Sequence, residues 1–312
     1  MRLLYVIGVA ALSSAPLSAF ASGQVSTRTV APERSPDQHG RFDGSVNFLG
    51  DAPEAYVGQD LFLPGIVETL RPFGWRNFCT SLPCTITTAA TVSYRELAGK
   101  YLHVEAVEVT PNELGVSKVF VFTLTEKASG TTWYYRYDSL SMFSFPFVAV
   151  KYFEREKAHL VGKRFVSRGW SFYASDGVGH DINSGKPVSF SPGTAWKCGD
   201  VTIEERFFEV VMILQNEKGE QIPFLVKDVN DPYLILSAEE AARIERVDGK
   251  ATYRAILEKK VRLGMSKRLV ELSWGKPRSV NRTVSTGGGV SEQWVYSDNY
   301  VYFDKSRVTG IQ

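Results

Sequence analysis

From about Val261 to Gln312, the spacing of breakers and aromatics leaves the chain few local choices: a short capped helix, then a run of turn-separated strands. Ser266 can cap a helix start by accepting a hydrogen bond from a free backbone N–H. Met265 and Val270 are spaced as a hydrophobic staple across that start. Leu269, Val270, Leu272 and Trp274 supply the apolar helix residues. Gly275 suits the left-handed position that ends a helix, and Pro277 blocks its continuation. Arg278 to Val284 reads as a strand, with Gly287-Gly288-Gly289 as its hairpin connection. Gln293 to Tyr296 and Tyr300 to Phe303 follow, separated by Ser297-Asp298-Asn299. Asp304-Lys305-Ser306 turns the chain into Arg307 to Ile311, which closes the sheet.

The residues Gly264, Met265, Ser266, Val270, Gly275 and Pro277, then Trp294 and Tyr296, then Tyr300, Tyr302 and Phe303, form a pattern. It resembles the small outer-membrane assembly lipoprotein family, the SmpA/OmlA or BamE-like module, over about the last sixth of the chain. The resemblance implies a helical hairpin packed on a three-stranded antiparallel sheet. A β-lactamase-inhibiting protein is built from similar modules, so it also implies binding rather than chemistry. Two positions depart from the family. No cysteine precedes Cys79, so no lipid anchor is expected, and the last turn carries Lys305-Ser306 where a glycine is common.

The first 21 residues have the layout of a secretory signal. Arg2 supplies the charged start, Leu3 to Leu12 an apolar core, and Ala19-Phe20-Ala21 a small-x-small cleavage site, with Ser22 the expected mature start. That core is too short to span a bilayer, and no other stretch approaches twenty apolar residues, so no integral membrane segment is expected after signal removal. The reading is an exported, periplasmic protein. Three cysteines fit an oxidising compartment. Cys79 and Cys84 are close enough for a local bridge, yet either could instead join Cys198, and spacing does not choose between these connectivities. A net charge of +2 with mixed signs implies no nucleic-acid partner. Size alone asks for two or three domains.

Residues 22–54 are polar with few large apolar side chains and read as a disordered leader. Two downstream segments look like copies of one β-module. Leu97-Ala98-Gly99-Lys100-Tyr101 opens one and Leu160-Val161-Gly162-Lys163-Arg164 the other, each followed by a strong strand pair. A fainter third start lies at Tyr56-Val57-Gly58. Glycine at a shared place before each strand is what a recurring tight turn requires. Two readings fit: duplicated modules of the SH3-like kind, or one larger β-rich domain. The expected order is a first β-rich region at 55–150 and a second at 151–234 with a Gly/Ser-rich insertion at 169–199. A helical connection and the BamE-like domain then fill 235–312. The fold class expected is α+β, with these β-rich modules leading into the helical hairpin on its three-stranded sheet.

Catalytic motifs are scarce. Among four histidines, only His180 sits suggestively, where Asp176, His180 and Asp181 could offer metal ligands from a glycine loop. Asp and Gly in such loops more often satisfy their own backbone. A Cys198–His180 nucleophile pair would need a thiolate kept reduced outside the cytosol. Serine elbows, zinc helices and phosphate loops are absent from the sequence. No catalytic residue, metal ligand or cofactor is therefore assigned. The expected function is non-catalytic binding or scaffolding of envelope proteins through an aromatic surface of Trp294, Tyr296, Tyr300 and Tyr302. An inhibitor of an extracytoplasmic enzyme is the alternative, and an envelope hydrolase a weaker one.

Overall fold

The computed structural model describes residues 42–50, 52–85, 89–112, 117–139, 145–169, 178–204, 209–284 and 290–312. The expected signal peptide, most of the leader, Asp176 and the Gly287-Gly288-Gly289 connection lie outside the described residues.

Seven strands form the first sheet: β1 (Asp60–Leu63), β2 (Trp75–Cys79), β3 (Ala90–Val92), β4 (Lys100–Pro111), β5 (Lys118–Glu126), β6 (Thr132–Asp138) and β7 (Val148–Ala149). Their spatial order is β3-β2-β6-β5-β4-β1-β7, and all pairs are antiparallel. Alternation decides which face is buried. Leu61, Leu63, Leu102, Val104, Phe120, Phe122 and Leu124 point inward, with Phe62, Tyr101 and His103 on the other side. A turn, α1 (Tyr94–Leu97), precedes β4, and α2 (Val150–Leu160) leaves β7 to pack on β1, β7 and the second sheet. The boundary read at 150/151 thus falls at the start of α2. Within the stretch read as a leader, Phe42 is buried against Tyr56, and the Asn47 amide bonds to Phe147 O and Ala149 N at 3.0 and 2.8 Å.

The second sheet contains β8 (Arg164–Ser167), β11 (Ala195–Glu204), β12 (Glu209–Gln215), β13 (Gln221–Leu225) and β14 (Ile235–Ser237), in the order β13-β12-β11-β8-β14. A hairpin of β9 (Val178–His180) and β10 (Pro187–Ser189) lies in the region read as an insertion. Trp196, Met212, Leu214 and Phe224 belong to the same buried cluster as Phe120, Phe122 and Tyr135 of the first sheet. The duplicated SH3-like reading is corrected by this: the two strand sets share one core. Their common glycines nevertheless make the same turn. Gly58, Gly99 and Gly162 all have positive φ (77°, 76° and 84°), and each N–H bonds a neighbouring strand carbonyl at 2.8 Å.

The C-terminal arrangement also differs from the expected one. Three helices, α3 (Ala238–Asp248), α4 (Lys250–Leu257) and α5 (Lys267–Trp274), accompany a four-stranded sheet of β15 (Ser279–Val284), β16 (Val290–Val295), β17 (Tyr300–Asp304) and β18 (Arg307–Ile311) in sequential order. The described residues are mostly β, 41% strand against 23% helix, not α+β with a helical hairpin on three strands. The physical reason is that β18 bonds to β17 through Asp304–Arg307 pairing and a bulge, adding a fourth strand. The α5 ends follow the local signals: Ser266 Oγ accepts from Leu269 N–H at 3.4 Å, and Gly275 has φ 78°. Trp294, Val301, Phe303 and Val308 pack beneath α5 on Leu269, Val270 and Met265 in a second core.

Arg168, only 1% exposed, ties the helices to the five-stranded sheet. Its Nε and Nη2 donate to Ile256 O at 3.1 and 2.6 Å, and Nη1 donates to Leu272 O at 2.5 Å and to Pro232 O. Ile256 and Leu272 lie in the last turns of α4 and α5, where carbonyls lack intrahelical donors and the helix dipole is negative. One forked cation therefore caps two helix ends, which Lys could not do with its compact ammonium. Burial pushes the guanidinium down to about 10, so it stays charged at neutral pH. The Tyr233 ring stands 5.9 Å from it.

Candidate functional site

The four aromatic residues expected to form one surface sit on both faces of the C-terminal sheet. Cross-strand partners in an antiparallel pair share a face, and successive residues alternate. Trp294 is paired with Val301, so it points at the helices. It is 5% exposed, its ring centroid lies 4.6 Å from that of Phe303, and its indole N–H donates to Glu292 Oε2 at 3.1 Å. Tyr296 also turns inward. Its ring meets Trp274 edge-on at 5.4 Å and its hydroxyl donates to Gly275 O at 2.9 Å. Burial pushes the Tyr296 phenol well above the ordinary range. These two residues hold the end of α5.

Tyr300 pairs with Val295 and Tyr302 with Gln293, which places both tyrosines on the outer face. Tyr300 is 41% exposed. Across that face runs a side-chain ladder. Asn281 Nδ2 donates to Gln293 Oε1 at 2.9 Å, Gln293 Nε2 to Tyr302 Oη at 3.1 Å, and Tyr302 Oη to Gln312 Oε1 at 2.9 Å. It links β15, β16, β17 and the residue after β18. Gln312 is itself held by reciprocal backbone bonds with Tyr300 at 2.8 and 2.9 Å. Gly310 lets the Tyr302 ring lie close, since a Cβ there would meet the ring at 3.3 Å. Gln293 and Gln312 were not singled out from sequence. Only the strand register, which alternation does not supply, puts them beside Tyr302.

Beneath the sheet, Glu292 gathers charge. It accepts from Lys267 at 2.7 Å and Arg282 at 2.9 Å besides the Trp294 indole. Hydrogen bonding from Lys267 outweighs burial and holds its carboxyl below the usual carboxylate range.

Comparison with known proteins returns nothing. No family model, curated protein or solved structure matches the chain.

The remaining candidate residues are dispersed. Cys79 and Cys84 form a disulfide with Cα atoms 5.7 Å apart, so the local bridge is the one made. Cys198 is free and fully buried, and its thiol donates to Asp200 O at 3.3 Å. Burial pushes that thiol up to about 11, which removes the thiolate a nucleophile needs at neutral pH. His180 is exposed on β9. Asp181 turns away from any ligand role: it accepts from Ser184 Oγ–H and N–H at 2.6 and 2.9 Å and from Gln221 N–H at 2.8 Å. Among the described residues, no group of three or more His, Cys, Asp or Glu side chains is placed to hold a metal.

Proposed function

We propose that this protein is a non-catalytic, exported component of the cell envelope that binds or scaffolds other envelope proteins through the outer face of its C-terminal sheet. One observation carries the reading: the Asn281–Gln293–Tyr302–Gln312 ladder fixes donors and acceptors in a flat row beside the exposed Tyr300 ring. Side chains already ordered in the free protein lose little freedom on binding, and tyrosines at an interface centre carry much of its energy. The likeness of 264–303 to the outer-membrane assembly lipoproteins supports an envelope role. The Cys79–Cys84 bond supports export, since such bonds persist outside a reducing cytosol. Among the described residues no helix is long and apolar enough to cross a membrane.

The test is affinity capture from envelope extract with the full chain and a Tyr300→Ala/Gln293→Ala double variant. Both side chains lie on the outer face, so the fold should be retained. Partners captured by the wild type should be lost from the double variant. An unchanged partner set with an intact circular dichroism spectrum refutes the assignment.

A further inference from the structure

A cleft of about 560 Å³ opens where the edge of the seven-stranded sheet meets α2 and β11. That volume suits a small ligand or a short segment of a polymer. Its floor is the cross-strand pair Phe62–Tyr101, with ring centroids 4.9 Å apart. Tyr101 is 51% exposed, so part of its ring is open to a ligand. Tyr94, Phe153, Glu154 and Thr202 are also in its lining. On the next rung of the same sheet face lies Asp60 opposite His103, about 7 Å along the strands. Asp60 is bound by His103 Nδ1 at 2.8 Å and by Lys127 Nζ at 2.5 Å. Burial pushes its carboxyl up, but those two hydrogen bonds outweigh it and keep the group anionic.

Charge decides what such a cleft can take. The cations near its rings are already used: Arg71 stacks over Tyr94 at 5.0 Å, and Lys157 lies 5.7 Å from Phe153 while paired with Asp200 at 2.8 Å. Asp60 is likewise neutralised by Lys127. Glu154 is the one charged residue of the lining, which disfavours a polyanion and leaves an isolated cation as the competitor that a cation probe must exclude. An acyl chain would leave the polar groups of the lining unpaired, at a cost. A pyranose has what the site lacks: an apolar C–H face for the Phe62–Tyr101 floor, and a ring of hydroxyls that both donate and accept. We infer that this cleft is a saccharide-binding site for a short stretch of uncharged glycan, with Tyr101 as its platform and Glu154 and Thr202 as hydroxyl partners. It uses none of the residues of the C-terminal sheet, so it stands or falls independently of the envelope-partner reading.

The test is a calorimetric or NMR titration of the full chain with chitotetraose, cellotetraose and, as a cation probe, tetramethylammonium. At least one tetrasaccharide should bind saturably in the millimolar range or tighter. Tyr101→Ala should weaken that binding by at least about tenfold, the scale of losing an aromatic platform, while Tyr101→Phe should stay close to wild type. Thr202→Ala and Glu154→Gln, from the α2 and β11 part of the lining, should each weaken it as well and serve if Tyr101→Ala does not fold. The inference is overturned if neither tetrasaccharide binds at about 10 mM, if Tyr101→Ala and these two variants bind like wild type, or if only tetramethylammonium binds.

Discussion

Arg168→Met tests whether one guanidinium joins the C-terminal helices to the β core. Methionine fills a similar volume but carries no donor, so Ile256 O, Leu272 O and Pro232 O lose the bonds that Arg168 makes to them. A buried carbonyl left without a donor costs about 1–3 kcal/mol. Ile256 O keeps a bond from Lys259 N–H at 3.1 Å, so two carbonyls are left without a donor, and they give roughly 3–6 kcal/mol, taking about 1.5–3 for each. Removing a buried cation returns some desolvation energy, which lowers the expected loss to about 3–5 kcal/mol, the range seen when one member of a buried polar set is deleted. In a chain of this size that corresponds to a fall in Tm of about 6–20 °C. Urea denaturation followed by far-ultraviolet circular dichroism should give the free-energy difference directly. The C-terminal unit should also unfold earlier than the sheets in the variant, visible as a separate Trp274 and Trp294 fluorescence transition. Arg168→Lys keeps the charge but cannot reach two helix ends at once, so it should lose at least about half as much. A loss below about 1 kcal/mol for Arg168→Met, or a lysine variant as stable as wild type, would refute the reasoning.

Further outcomes follow from other sites. Glu292 has its folded-state pKa depressed below the ordinary 4.5, so its stabilisation is present above that value and is lost as pH falls below it. Glu292→Gln should flatten the acid limb of a Tm-against-pH curve, and an unchanged limb would count against the Lys267–Glu292–Arg282 cluster. Cys79→Ser/Cys84→Ser should cost roughly 2 kcal/mol for so short a loop. Thiol titration of the untreated wild type should find no fast-reacting thiol in the native state and a single one, Cys198, after unfolding. Any other count would contradict the pairing. Gly275→Ala forces a left-handed residue at φ 78° with a Cβ 2.7 Å from the Tyr233 ring, and should cost about 1–3 kcal/mol in a melt.

Much of the local course was legible because it depends on residues a few positions apart. Ser266 and Gly275 mark the ends of α5, and Gly58, Gly99 and Gly162 mark turns, because cap and turn chemistry is local. What covers each strand was not legible. Alternation shows that Phe120, Phe122 and Leu124 share a buried face, but nothing in it shows that Trp196, Met212 and Phe224 pack into the same core. Two strand sets with similar openings fit duplicated modules or one larger domain alike, and it is the shared core that decides for one. Arg168 was invisible for the same reason: its acceptors lie 64, 88 and 104 residues away in the chain.

The aromatic surface shows how register divides a sequence motif. Trp294 and Tyr296 share a strand face, as do Tyr300 and Tyr302, and composition alone makes the four look like one set. The connection between β16 and β17 places Tyr300 opposite Val295, so Tyr300 takes the face of Val295 and Trp294 the other. The consequence for experiment is direct. Trp294→Ala empties a core position under α5 and reports stability, so a partner lost from that variant says nothing about contact. Tyr300→Ala leaves the core untouched, and a partner lost from it can only have been touching the outer face or the residues that face positions.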